Sequence, residues 1–186
     1  SRKIKLKRKT KSGRNILQSS DFKNTLRIHV SRKPIKVSDL HETTRELKIG
    51  YKPYGFWYSC EFEWYDWTKD EEFYEYEENE DGVKKDLKIY NVILNPENLK
   101  IYKINNIESI NKFNEKYIIK KGNVGFEYYL IDWPQVKKDG YDGIEFCPNV
   151  RGYINHNDLF GNPKFIWAAT LDVASGCIWN TKAIKE

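Results

Sequence analysis

Two stretches of this 186-residue chain hold side chains of the types and spacing that chemistry needs. The first is TLRIHVS, residues 25 to 31, where Leu26, Ile28 and Val30 alternate with Arg27, His29 and Ser31. Alternation at period two marks a half-buried strand. It puts His29 mid-strand on the polar face, where a cleft would use an imidazole. The plainer alternative is a satisfied or exposed histidine. The second stretch is YKPYGFWYSCEFEWYDW, residues 51 to 67. A core strand reads Val, Ile or Leu, whereas this one reads Phe56, Trp57, Tyr58 and Ser59. Rings with polar tips suit a surface half inside and half wet. The alternative is an aromatic core strand with no ligand. Lys52, Pro53 and Gly55 deliver the chain through a turn into a short strand, Gly55 to Ser59. Trp64 and Trp67, three residues apart, share one face of a following helix. The stretch therefore reads as a turn, a strand edging a cleft, and a helix packing its Trp pair on the sheet.

Other chemistries find less support. Cys60, Cys147 and Cys177 are far apart and odd in number. That argues against a disulfide framework and for a reducing, intracellular compartment, cytoplasmic or nuclear. The cysteines lack zinc spacing with His29, His41 or His156. Three buried structural thiols are expected in preference to a Cys–His pair. The stretch TKDEEFYEYEENEDG, residues 68 to 82, is rich in carboxylates but contains no calcium-type D-x-D-x-D-G loop. It reads as the end of a helix and a solvated acidic loop, with a partner-facing loop as the alternative, and no metal is expected. Walker A, GxGxxG, GxSxG and HExxH motifs are absent.

The elements that must position these side chains fit one domain, residues 21 to 186, behind a flexible basic arm, residues 1 to 20. Residues 1 to 14 carry eight Lys or Arg and no acid, although the whole chain is only +5. Like charges and few apolar groups keep such an arm solvated. Its functional readings are nuclear import or contact with nucleic-acid phosphates. Residues 61 to 81 answer it with eleven acids and one Lys. The chain opens on Ser and has no Met, so the natural start is expected to be missing. No apolar run reaches the length of a membrane span. Strands are expected at 87–95, 99–104, 141–146, 164–171 and 176–179. A short helix is expected within 33–50, and further helices at 109–117, ended by Gly122, and within 127–139, ended by Gly140. Residues 147 to 163 read as loop.

Several of these segments together carry a resemblance. A strand with a mid-strand His, the turn into GFWYS with a helix behind it, YNVILNPENLKIYKI, KKDGYDGI and the final SGCIWNTKAIK resemble the ADP-ribosyltransferase-like proteins of bacteria and phages. The similarity covers most of residues 25 to 185. It implies an α+β fold, two small mixed or antiparallel sheets around a cleft that takes NAD as substrate. It implies His29 and Ser31 on the first strand, and Gly55, Trp57, Tyr58 and Ser59 on the second, as cofactor contacts. His29, Tyr58 and Glu145 are the implied catalytic residues. A carboxylate would stabilise the oxocarbenium-like centre formed when the nicotinamide bond breaks, and an aromatic face would hold the leaving ring. The family usually has Glu at the start of the last strand, where this chain has Ser175. Asp172 and Glu145 are the substitutes within reach, and Glu145 is preferred because it stands in a strand. The acceptor would be an unknown protein or nucleic acid. The alternative is an inactive member of the same fold, binding nucleic acid or protein.

Overall fold

A computed structural model describes residues 15–42, 46–70, 88–97, 99–123 and 126–185. The basic residues 1 to 14 and most of the acid-rich stretch, residues 71 to 82, lie outside these. The elements run α1 (Ser19–Asn24), β1 (Arg27–Ser31), α2 (Val37–Glu42), β2 (Phe56–Cys60), α3 (Glu63–Asp70), β3 (Lys88–Asn91), β4 (Ile101–Lys103), α4 (Ile107–Tyr117), β5 (Ile118–Asn123), β6 (Phe126–Ile131), α5 (Trp133–Lys138), β7 (Gly143–Phe146), α6 (His156–Gly161), α7 (Ile166–Ala169) and β8 (Ser175–Ile178). The fold is α+β. Its centre is one mixed six-stranded sheet in the order β3-β1-β2-β8-β7-β4, and β5 and β6 form a separate two-stranded ribbon. All pairs in the large sheet are antiparallel except β4 with β7.

Alternation along the strands builds a core on each face of this sheet. Tyr102, Ile144 and Cys177 join Phe113, Trp133 and Trp167 on one face. Their neighbours Ile101 and Ile178 join Tyr58, Leu94 and Leu99 on the other. Local signals set the helix ends. The Asn106 side chain accepts from the Ser109 amide at 2.8 Å, and the Ser109 hydroxyl accepts from the Asn106 amide at 3.2 Å. This reciprocal cap starts α4. Asp132 caps α5, with Pro134 in its first turn. Gly140 follows α5 at φ +85°, a conformation open to glycine.

Three expectations change. Residues 164 to 171 form no strand; α7 lies there, with Trp167 donating its indole N–H to Asn114 at 2.8 Å. Residues 118 to 131 form the β5–β6 ribbon, because α4 runs straight into extended chain at Ile118. Residues 147 to 163, read as loop, contain a 3-10 turn (Val150–Tyr153) and α6. At the N-terminus, Ile16 bridges Tyr102 beside β4 and Leu17 is buried, so the chain is tied to the sheet before residue 20.

Candidate functional site

β1 and β2 pair only at Arg27 with Cys60 and at Ile28 with Ser59. Beyond Ile28, β1 stays on β3 through His29–Tyr90, Val30–Ile89 and Ser31–Lys88. The sheet is therefore split between β1 and β2 from His29 onward. His29 occupies the split, with Nδ1–H donating to the Trp57 carbonyl at 2.6 Å. A carbonyl only accepts, so this bond fixes the tautomer and leaves Nε2 as an acceptor. Phe56 stacks on the imidazole at 4.5 Å between centroids, and Trp64 meets it edge-on at 5.5 Å. Burial lowers the His29 pKa against the opposing pull of the Trp57 hydrogen bond, so the ring is neutral near pH 7.

The split opens into a cavity of about 790 Å³, within the usual size of a small-molecule site. One side is the diverging end of β1, from His29 to Lys33. Trp57 of β2 and Trp64, Trp67 and Thr68 of α3 add aromatic and polar walls, and residues 171 to 173 with Ser175 close the far side. Arg32, Lys33 and Lys52 bring positive charge, and Lys52 Nζ stands 6.0 Å from the centre of the Trp57 ring. Asp172 is the one carboxylate among the described lining residues. Its Oδ1 accepts from Arg151 Nη2 at 3.0 Å, and its side chain is 47% exposed.

Of the residues singled out in the sequence, His29, Ser31 and Trp57 line this cavity. Tyr58, Ser59, Gly55 and Glu145 are not among its lining residues. For Tyr58 and Glu145 the reason is strand alternation. Trp57 faces one side of the sheet and Tyr58 the other, and the register Tyr58–Gly176–Glu145 puts Glu145 on the Tyr58 side. There the Tyr58 hydroxyl donates to Glu145 Oε2 at 2.7 Å, and Arg27 grips both carboxylate oxygens at 2.8 and 3.2 Å. Glu145 is 1% exposed. The Arg27 guanidinium resists the effect of burial through the Glu145 charge, and its pKa is raised. Burial and the same carboxylate push Tyr58 well up, so it stays a phenol. Gly176 permits this row, because a Cβ there would come within 2.3 Å of the Tyr58 ring. Gly55 is likewise packed by backbone, its Cβ position 2.5 Å from the Ile178 carbonyl. Ser59 donates to the carbonyls of Ile28 and Glu61.

Ser175, at the position where the resemblance expects Glu, and Asp172 just upstream both line the cavity with His29. Arg32 and Lys33 did not stand out in the sequence, although they directly follow the alternating strand that carries His29. Cys60 and Cys147 form a disulfide, with Cα atoms 6.2 Å apart, and Cys177 is free and buried. The expectation of three thiols is corrected by that pairing, and the argument from cysteine pattern to a reducing compartment goes with it. No helix among the described residues is long and apolar enough to cross a membrane. Cys60, Cys147 and Glu145 lie close together, but the disulfide and Arg27 occupy their ligand atoms. No known family profile matches the chain, and neither a curated protein nor a solved structure matches it.

Proposed function

We propose that the chain binds NAD in the cavity between β1 and β2, breaks the nicotinamide bond and transfers ADP-ribose to an acceptor, in the manner of the ADP-ribosyltransferase-like proteins it resembles. The observation that carries this reading is the split itself: it sets a neutral histidine, a tryptophan face, cations and a carboxylate around one cavity. Each suits a part of the substrate. His29 Nε2 accepts a hydrogen bond from a ribose hydroxyl. Trp57 offers a flat apolar face to the leaving ring. Arg32, Lys33 and Lys52 suit the pyrophosphate. Asp172 supplies the negative charge that an oxocarbenium-like centre requires. Glu145 then has another role: it locks β1, β2 and β7 together through Arg27 and Tyr58.

The test is release of nicotinamide from NAD by the purified chain, with cell extract as a source of acceptors. Wild-type protein is expected to release it. His29→Ala and Asp172→Asn are expected to lose at least about a hundredfold, the usual scale for a positioned catalytic group. No release by wild type, with acceptors present, would sink the transferase reading. A second reading, NAD binding without transfer, has one observation in its favour: Arg151 already holds the Asp172 carboxylate. It predicts NAD binding that His29→Ala weakens, with no release of nicotinamide.

A further inference from the structure

The cavity wall that carries Asp172 belongs to no strand. Leu171, Asp172 and Val173 lie before β8, and contacts outside the β-ladder hold this segment. The Ala174 amide donates to Glu63 Oε2 of α3 at 2.7 Å, and the Ala174 carbonyl accepts from the Cys60 amide at 2.9 Å. The Asp172 carbonyl accepts from Asn149 Nδ2 at 3.0 Å. The Asp172 carboxylate accepts from Arg151 Nη2, which also donates to the Ala169 carbonyl. Arg151 Nε is buried and has no hydrogen-bond partner among the described residues. The guanidinium therefore reaches Asp172 through one nitrogen, which also holds the Ala169 carbonyl, so one side chain ties the Asp172 carboxylate to the backbone before it.

Both sources of these contacts meet at the disulfide. Cys60 supplies the amide that holds Ala174. Asn149 and Arg151, which hold Asp172, come two and four residues after Cys147. The Cys60–Cys147 bond makes these two anchors one covalent point, across 87 residues of chain. Cys60 is buried and Cys147 half-buried, so Cys147 is the more exposed of the two half-cystines.

We propose that Asn149 and Arg151 are positioning residues for Asp172, and that the Cys60–Cys147 disulfide is the redox-sensitive staple that sets them. The proposal takes from the functional reading above that this cavity binds NAD. A dithiol thiolate attacks Cys147 Sγ, the S–S bond breaks and Cys60 leaves as thiolate. The second thiol of the reductant closes its own disulfide and releases Cys147. Cys60 and Cys147 each end with one proton, and the dithiol is oxidised by two electrons. The segment 148 to 151 then keeps its hydrogen bonds and the buried Val150 but loses its covalent tie to β2, and the wall at residues 171 to 174 loosens.

The test compares the air-oxidised full chain with the same protein reduced by dithiothreitol, which avoids dependence on a variant that fails to fold. Amide hydrogen exchange, calorimetric NAD affinity and the rate of nicotinamide release are the readouts. Peptides covering 147–151 and 169–175 are expected to exchange faster after reduction, while 118–131 is unchanged, and NAD affinity is expected to fall about tenfold. Arg151→Lys, which keeps the charge but not the planar guanidinium that holds Asp172 and the Ala169 carbonyl, is expected to slow nicotinamide release about tenfold in the oxidised protein and to make it insensitive to reduction. Equal exchange in both redox states overturns the staple, as does titration of three thiols in the denatured, unreduced chain. Faster exchange with an unchanged rate of nicotinamide release overturns the positioning of Asp172. Absence of NAD binding in both states removes the functional reading, and the exchange contrast still decides whether the staple exists.

Discussion

At the scale of single residues, His29 and Glu145 have separate roles: His29 stands in the split between β1 and β2, and Glu145 is buried in the sheet against Arg27 and Tyr58. His29 is neutral in the fold, with its pKa lowered from 6.5 by burial. The unfolded chain takes up that proton first as pH falls, so its contribution to stability is complete above pH 6.5 and declines below it. Thermal unfolding is accordingly expected to show wild type losing more midpoint between pH 6.5 and about 5 than His29→Gln does. An equal or smaller loss in wild type would contradict the neutral tautomer. Glu145 behaves differently. Glu145→Ala leaves the Arg27 charge buried and unpaired, at a cost of about 3–5 kcal/mol, read by denaturant unfolding. Arg27→Leu/Glu145→Leu is expected to recover most of that loss, since a buried pair replaced by apolar groups is often neutral. That Asp172 and not Glu145 lines the cavity was not legible from residue type, because both are acids in the last third of the chain. It depends on the parity of Tyr58 and Glu145 along paired strands, and parity across a sheet requires the register. His29, Ser31 and Trp57 were legible because alternation and aromatic composition are local signals.

At the scale of elements, the site exists because β1 changes partners. It leaves β2 after Ile28 and continues on β3, while α3 places Trp64 and Trp67 over the gap. Strands β1, β2, β7 and β8 could be read from alternation and from the glycines around them. So could α4, whose Ile110, Phe113 and Tyr117 fall at helical spacing. α7 could not, because KFIWAATL is a short apolar run that fits a buried strand and a buried helix equally. The β5–β6 ribbon was missed because Gly122, at φ 96°, reads as a helix stop, whereas it lies within β5. The cap of α4 gives a prediction separate from the site. Asn106→Ala removes the acceptor for the Ser109 amide and is expected to cost about 1 kcal/mol in thermal or denaturant unfolding. NAD affinity should not change, since the cap lies outside the cavity. In β8, Gly176→Ala pushes a methyl into the Tyr58 ring. Overpacking of this kind costs about 1–3 kcal/mol, and the unfolding midpoint reads it.

At the scale of the whole molecule, the sequence is basic at residues 1 to 14 and acidic at residues 61 to 81, and the described sheet carries a core on each face. The disulfide was not legible, because Cys60 and Cys147 lie 87 residues apart and meet only where β2 and β7 end on either side of Ala174. The central claim is that NAD occupies the cavity formed where β1 and β2 part. Calorimetric titration of NAD into wild type and into Trp57→Ala tests it most directly, with both proteins first matched for folding by their melting curves. The account predicts saturable binding by wild type and affinity at least about tenfold weaker for Trp57→Ala. No binding by wild type, or equal affinity in the two proteins, would contradict it.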